Sequence, residues 1–330
     1  MTRSKLQTTA GGLALIAALG LSACGSSSPD NSSAGPATSS QATPLVSTSA
    51  VLAAVRAASS TKSLPKDITP KLADTGKDTG FAMIGPRGCQ PGFADTSIDL
   101  ARCVFGDAAG KKTVMLIGDS HSSMWLPAID QLGSAKGWKV IDINKVNCGA
   151  AAIEPYLYQE ARPYPECVKW HDWVTEQINT MKPQMVIFTS SVGAFKLGTG
   201  GDNTPATWKA GMKKTLDAVT ATGVETVVLG DIPYIWQSNY GAGPNCLSTH
   251  YRNVTECSAP KAKAVLQSFQ DADEAGALAG GARYIGTTPW FCTSRCWSVV
   301  NKIQVYSDWQ HITATYAKYL SGALEAKLGL

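Results

Sequence analysis

The run Val114-Met115-Leu116-Ile117 is apolar at every position and stops abruptly at Gly118-Asp119-Ser120-His121. Apolar residues without alternation describe a strand buried on both faces. Strands of that kind belong to parallel sheets covered by helices on each side, which excludes most all-β and all-α architectures. A parallel sheet also presents its functional loops at the carboxyl ends of its strands, and Asp119, Ser120 and His121 fall at one such end.

The rest of the chain repeats the pattern. Thr113–Ile117, Lys139–Ile143, Gln184–Phe188 and Glu225–Leu229 are short aliphatic runs, with Arg283–Ile285 a weaker fifth. Helix-length segments separate them: Met124–Ala135, His171–Met181, Ala206–Thr222 and Lys261–Ala277. The last segment, Thr313–Leu328, spaces Tyr316, Leu320, Leu324 and Leu328 along one helical face. Strand and helix in alternation predict an α/β domain with a mainly parallel sheet. Residues 144–168 and 231–260 are long connections, which in compact domains usually carry function.

The beginning of the chain reads differently. Arg3 and Lys5 precede an apolar stretch from Leu13 to Leu21, and Leu21-Ser22-Ala23-Cys24 follows as a small-residue cleavage site. Cysteine at the first mature position is the bacterial lipoprotein pattern, so residues 1–23 are expected to be removed and Cys24 lipidated. Residues 24–60 are expected to form a flexible tether, since the stretch to about 48 is rich in Ser, Pro, Thr and Ala. Val51–Ala58 has the makings of one short helix. The folded domain is expected over 61–330, opening with an extended arm at Lys62–Lys77. The mature protein would then be extracytoplasmic and held to the cell membrane by lipid.

Setting Cys24 aside, Cys89, Cys103, Cys148, Cys167, Cys246, Cys257, Cys292 and Cys296 remain. An even count in an oxidising compartment points to disulfides, with 105 possible connectivities for eight cysteines. Pairing neighbours (Cys89–Cys103, Cys148–Cys167, Cys246–Cys257, Cys292–Cys296) would staple one local loop per bridge. Zinc would call for paired C-x-x-C ligand sets, and the sequence has none, so no metal and no other cofactor is expected. The net charge of +4 falls to about +2 once Arg3 and Lys5 are removed, and no basic stripe appears, which argues against nucleic acid.

Ser120 follows a strand and precedes a helix, where free amides face developing negative charge. Asp308 and His311 stand three apart in Asp308-Trp309-Gln310-His311, close enough for the carboxylate to hold one imidazole nitrogen while the other faces a serine. The bland readings are a Ser120 helix cap, and an Asp308 cap on the final helix with His311 at the surface. Nucleophile, base and orienting carboxylate together form the set for acyl transfer through a serine ester. Of the other histidines, His121 is expected to shape the pocket, His171 to be structural and His250 to be exposed. Trp236, Trp290 and Trp309 are candidate sugar-stacking surfaces.

Taken together, these motifs resemble the SGNH (GDSL-like) hydrolases, most closely the SGNH domains of bacterial membrane acyltransferase-three proteins. The resemblance rests on Val114–His121 with Trp125-Leu126-Pro127, and on Cys148, Cys167 and Trp170. It continues through Met185–Phe188 with Ser190-Ser191, Leu229-Gly230-Asp231-Ile232-Pro233, Cys246 and Cys257, Trp290-Phe291-Cys292 with Cys296, and Asp308–Ala317. It implies a flavodoxin-like three-layer α/β/α sandwich, a Ser120–His311–Asp308 triad and the local cysteine pairing. The sequence departs from the classical pattern in one block. Where a Gly-x-Asn-Asp would supply an oxyanion donor, Thr189-Ser190-Ser191 stands, leaving Ser190, Ser191 and Gly149 as candidate donors. The resemblance implies a serine esterase or O-acyltransferase acting on acyl, chiefly acetyl, esters of envelope glycans or glycolipids. Transfer would draw on a separate membrane acyltransferase partner. The rival expectation is a non-catalytic glycan-binding lipoprotein that has kept the fold.

Overall fold

The computed structural model describes residues 45–193, 195–220, 224–235 and 243–330. The expected signal segment, Cys24, the tether up to residue 44 and Trp236 lie outside the described residues. No helix among the described residues is long and apolar enough to cross a membrane.

A six-stranded sheet forms the centre. Its strands are β1 (Val104–Gly106), β2 (Lys112–Gly118), β3 (Trp138–Asn144), β4 (Met185–Thr189), β5 (Glu225–Leu229) and β6 (Arg283–Ile285). They lie in the order β1-β3-β2-β4-β5-β6. Five strands are parallel, and only β1 runs antiparallel, against β3. The five expected strands all form, within a residue or two of the sequence reading. The sixth, β1, is only three residues long and ends at Gly106, whose φ of 65° few other residues adopt.

Helices cover both faces. The helices packed on the sheet are α1 (Thr48–Ala57), α2 (Ser120–Lys136), α3 (Pro165–Met181), α4 (Pro205–Thr220), α5 (Gln267–Ala279), α6 (Ala314–Tyr319) and α7 (Ser321–Leu328), beside shorter helical turns. Val114 and Leu116 of β2 point into one core layer with α1, α2, α6 and α7. Met115 and Ile117 point into the other, with α3, α4 and α5. Every β2 side chain from Val114 to Ile117 is buried, the outcome its unbroken apolar run predicts. The arrangement is the three-layer α/β/α sandwich implied by the resemblance.

Three expectations are corrected in detail. The tether does not extend to residue 60, because α1 buries Val51 and Val55 in the core and Ser47 caps its first turn. The expected Lys261–Ala277 helix breaks after a single turn, Lys261–Ala264, because Val265 is extended (φ −96°, ψ 121°), and it resumes as α5. The final helix divides at Leu320 into α6 and α7, yet Tyr316, Leu320, Leu324 and Leu328 are all buried. The 62–77 arm does lie on the domain. Thr69 pairs with Ile303, Ile68 is buried, and Leu72–Lys77 coils into a 3-10 segment.

All four neighbouring cysteine pairs are joined as disulfides. Cys148–Cys167 closes the loop after β3 and Cys246–Cys257 the one after β5, so both long connections singled out in the sequence are pinned. Among the described residues two groups of Cys and His come within ligating reach, Cys148–Cys167–His171 and Cys246–His250–Cys257. In both, the two sulfurs are already bonded to each other.

Candidate functional site

The site is built where β2 hands over to α2. A Cβ on Gly118 would run into the Thr189 carbonyl, so glycine is what lets β2 and β4 close together here. Asp119, not Ser120, caps α2: its carboxylate accepts the His121 amide at 2.8 Å. The helix therefore starts at Ser120, four residues before the sequence reading placed it, and Ser120 is the first helical residue with its hydroxyl spared from capping.

The second half of the site is a hairpin tip. Tyr306 pairs with Ile312, and the Ser307 amide donates to the His311 carbonyl. Asp308 does not cap the last helix, since Thr313 does that by accepting the Tyr316 amide at 3.0 Å. Asp308 instead holds its own tip together. Its Oδ1 accepts the amides of Gln310 and His311, each at 2.8 Å, and its Oδ2 lies 2.7 Å from His311 Nδ1. Burial pushes the Asp308 carboxyl up, but the hydrogen bonds and charge of His311 outweigh it and hold the carboxyl below its ordinary 3.8.

His311 is only 12% exposed, and its Nε2 has no hydrogen-bond partner among the described residues. Its ring lies 5.0 Å from that of His121 and 5.8 Å from that of Phe81. Phe81 follows Gly80, which sits directly on the Ser123 carbonyl in the first turn of α2. The His311 hairpin thus packs over the turn that carries Ser120, with one imidazole nitrogen committed to Asp308 and the other open.

A network that sequence reasoning did not assemble lies beneath. His121 is fully buried and its Nδ1 is 2.5 Å from Asp231 Oδ1. Asp231 also accepts the Val192 amide at 3.0 Å and the Tyr234 hydroxyl at 2.5 Å. Desolvation alone would lower the His121 pKa, but the charge of Asp231 and its hydrogen bond outweigh it and raise the imidazole above its ordinary 6.5. Burial raises the Asp119 carboxyl as well. Expected to shape the pocket, His121 is instead fully buried, with its ring against that of His311 and no part in the lining of the two cavities described below. Asp231 stood within a quoted motif without a role, because a contact between residues 110 positions apart leaves no periodic signal.

The candidate oxyanion residues separate. Ser191 has both donors engaged: its amide faces the Asp119 carboxylate at 3.1 and 3.2 Å, and its hydroxyl pairs with Tyr234 at 2.8 Å. Ser190 Oγ accepts the Ala150 amide at 2.7 Å, which leaves its own proton to give. The Gly149 amide has no acceptor among the described residues, and a Cβ there would lie 3.4 Å from Ser190 Oγ. His171 Nε2 sits 2.7 Å from the Gly149 carbonyl and tethers the glycine from behind.

Two cavities meet at this loop. One of about 150 Å³ is bounded by Asp119, Asn147, Gly149, Ser191 and several aromatic rings. The other, about 410 Å³, runs between α3 and α4 past Gly118, Gly149, His171 and Phe188. Trp309 is 45% exposed beside Tyr234, as a stacking surface requires, whereas Trp290 is buried against Trp125 and cannot serve as one.

Comparison with known proteins accords with this geometry. A family model described as an SGNH domain (fused to AT3 domains) matches residues 88–326. The periplasmic domain of a Salmonella ser. Paratyphi A lipopolysaccharide acetyltransferase superposes with a TM-score of 0.56 at 16% identity, covering 79% of this chain and 98% of that one. A GDSL-like lipase from Bacteroides thetaiotaomicron aligns at 11% identity with a TM-score of 0.41, over 78% and 98% of the two chains. No curated protein matches the chain.

Proposed function

The chain belongs to the SGNH family and is an acyl hydrolase or acyltransferase of that type, and on that premise we propose that Ser120, His311 and Asp308 are its catalytic triad. The observation that carries the assignment is the 2.7 Å Asp308–His311 pair, which leaves a buried Nε2, without a partner among the described residues, over the turn bearing Ser120. Asp308 fixes the tautomer with the proton on Nδ1, so Nε2 is the acceptor. Ser120 Oγ loses its proton to Nε2 and attacks the acyl carbonyl. The tetrahedral oxyanion takes hydrogen bonds from the Ser120 amide at the α2 N-terminus, the Gly149 amide and the Ser190 hydroxyl. Collapse expels the alcohol, which receives the Nε2 proton, and leaves an acyl-serine. Water or a sugar hydroxyl, deprotonated by the same nitrogen, then releases the acyl group.

The substrate in this reading is an acyl ester, chiefly acetyl, on an envelope glycan or glycolipid. The family's fusion to AT3 domains and the structural likeness to the domain of a lipopolysaccharide acetyltransferase support it. A membrane acyltransferase is the proposed partner when the reaction runs as transfer. Extracytoplasmic placement is supported by four disulfides, and anchoring through Cys24 rests on the sequence pattern. A fluorophosphonate probe tests the nucleophile. Labelling of the wild type that vanishes in Ser120→Ala is the expected result. Equal labelling of both chains removes Ser120 from the role, and no labelling of the wild type favours a glycan-binding protein without chemistry.

A further inference from the structure

The 150 Å³ cavity beside Asp119 and Ser191 has a wall that the triad does not use. Tyr156, Tyr158, Phe195 and Trp208 line it in two edge-to-face pairs, Tyr156–Tyr158 at 5.4 Å and Phe195–Trp208 at 6.2 Å. Trp208 is buried and anchored by its Nε1 on Asp273 at 2.7 Å, whereas Tyr158 is 58% exposed.

The wall is rigid. The loop after β3 and the loop after β4 are joined edge to edge: Pro155 bridges Leu197, the Tyr156 amide donates to the Lys196 carbonyl, and the Lys196 amide donates to the Tyr158 hydroxyl. Cys148–Cys167 closes the first of these loops. A site ordered before binding loses little entropy when its ligand arrives.

Polar groups share the cavity with the rings. Asn147 stands exposed in a tight turn, and Ser191, Tyr156 and Tyr158 bring hydroxyl groups to the lining, of which that of Ser191 is paired with Tyr234 and that of Tyr158 accepts the Lys196 amide. Flat apolar faces with hydroxyl and amide groups around them match a pyranose ring, which has apolar C–H faces and a polar rim. A fatty acyl chain would call for an enclosed, wholly apolar slot instead.

We propose that Tyr156 and Tyr158 form a carbohydrate subsite that stacks a sugar ring next to the esterified unit and holds the ester over Ser120. The inference rests on the acyl-ester reading above and deepens it, by assigning substrate selection to these rings rather than to the triad.

The test compares Tyr158→Ala, Tyr158→Leu and Tyr158→Phe with wild type on two esters, p-nitrophenyl acetate and chemically O-acetylated cello-oligosaccharides. Ala and Leu should raise KM for the oligosaccharide about tenfold more than for p-nitrophenyl acetate, the size of one aromatic contact, and Phe should restore it. Leu performing as well as Tyr, or equal losses on both esters, overturns the proposal by making Tyr158 merely structural. A matching loss on p-nitrophenyl hexanoate overturns it in favour of an acyl chain as occupant. Titration of catalytically silent Ser120→Ala with the same oligosaccharides reads binding without turnover. Binding weakened by Tyr158→Ala supports the subsite, and no binding sinks it. Turnover of p-nitrophenyl acetate in the absence of such binding would leave the proposed chemistry standing.

Discussion

Replacing Asp308 by Asn changes one atom and, on this geometry, should disable the base. In the wild type Oδ1 accepts two amides, from Gln310 and His311, each at 2.8 Å, while Oδ2 faces His311 Nδ1 at 2.7 Å. Asparagine has only one acceptor end. Two backbone donors claim the oxygen, so the new NH2 must face Nδ1. That nitrogen can then only accept, and the imidazole proton moves to Nε2, where it blocks uptake of the Ser120 proton. A tautomer reversal of this kind lowers kcat by about 10⁴-fold, or about 5.5 kcal/mol of transition-state stabilisation. The assay is steady-state hydrolysis of p-nitrophenyl acetate beside thermal unfolding across pH. The Asp308 carboxyl titrates below 3.8 in the folded state, so its stabilising contribution is complete above 3.8 and is lost as pH falls through that lower value. Wild type and variant should therefore converge in Tm in strong acid and separate at neutral pH. Asp308→Asn retaining kcat within tenfold of wild type would refute the tautomer argument.

Three further perturbations follow from the surroundings of the proposed triad. His121→Ala strands a buried Asp231 carboxylate and should cost about 3–5 kcal/mol in urea unfolding, with the His121→Ala/Asp231→Ala double variant recovering part of that loss; strict additivity would show that the two are not coupled. Cys148→Ser/Cys167→Ser removes a 19-residue crosslink, should cost about 3 kcal/mol, and should lower kcat by releasing Gly149, so undiminished kcat would detach that loop from the oxyanion. Burial raises Asp142 to about 7 despite the Asn144 hydrogen bond, so folding loses stability as pH rises from 3.8 through 7. Asp142→Asn should raise Tm by a few °C at pH 8 and by less at pH 5, and an equal shift at both would contradict the sign.

The sheet was legible in the sequence because parallel strands buried on both faces leave unbroken apolar runs, as Val114–Ile117 does. β1 escaped because three residues, Val104 to Gly106, are too few to carry any period. The start of α2 was placed late because Ser120, His121, Ser122 and Ser123 look like loop. In the fold they form a helical turn, buried from His121 onward, beneath Gly80 and the His311 hairpin. The cysteine pairing was readable because each bridge spans 19 residues or fewer. The Asp119 clamp on Ser191 and the His121–Asp231–Tyr234 network join strand ends that are adjacent in space and remote in sequence, so only topology brings them to view. Val51 and Val55 did mark a helix, but the core that buries them lies far along the chain, so that helix read as part of the tether.

The claim on which the rest depends is that an acyl group resides on Ser120 during turnover. Acid-quenched enzyme from a reaction with p-nitrophenyl acetate, digested and analysed by mass spectrometry, reads this directly. One acetyl group on the peptide containing Ser120, absent from Ser120→Ala and accumulating in Asp308→Asn only if supplied over long incubation, is the predicted result. An acetyl group found on any other side chain during active turnover, or full turnover by Ser120→Ala, would contradict it.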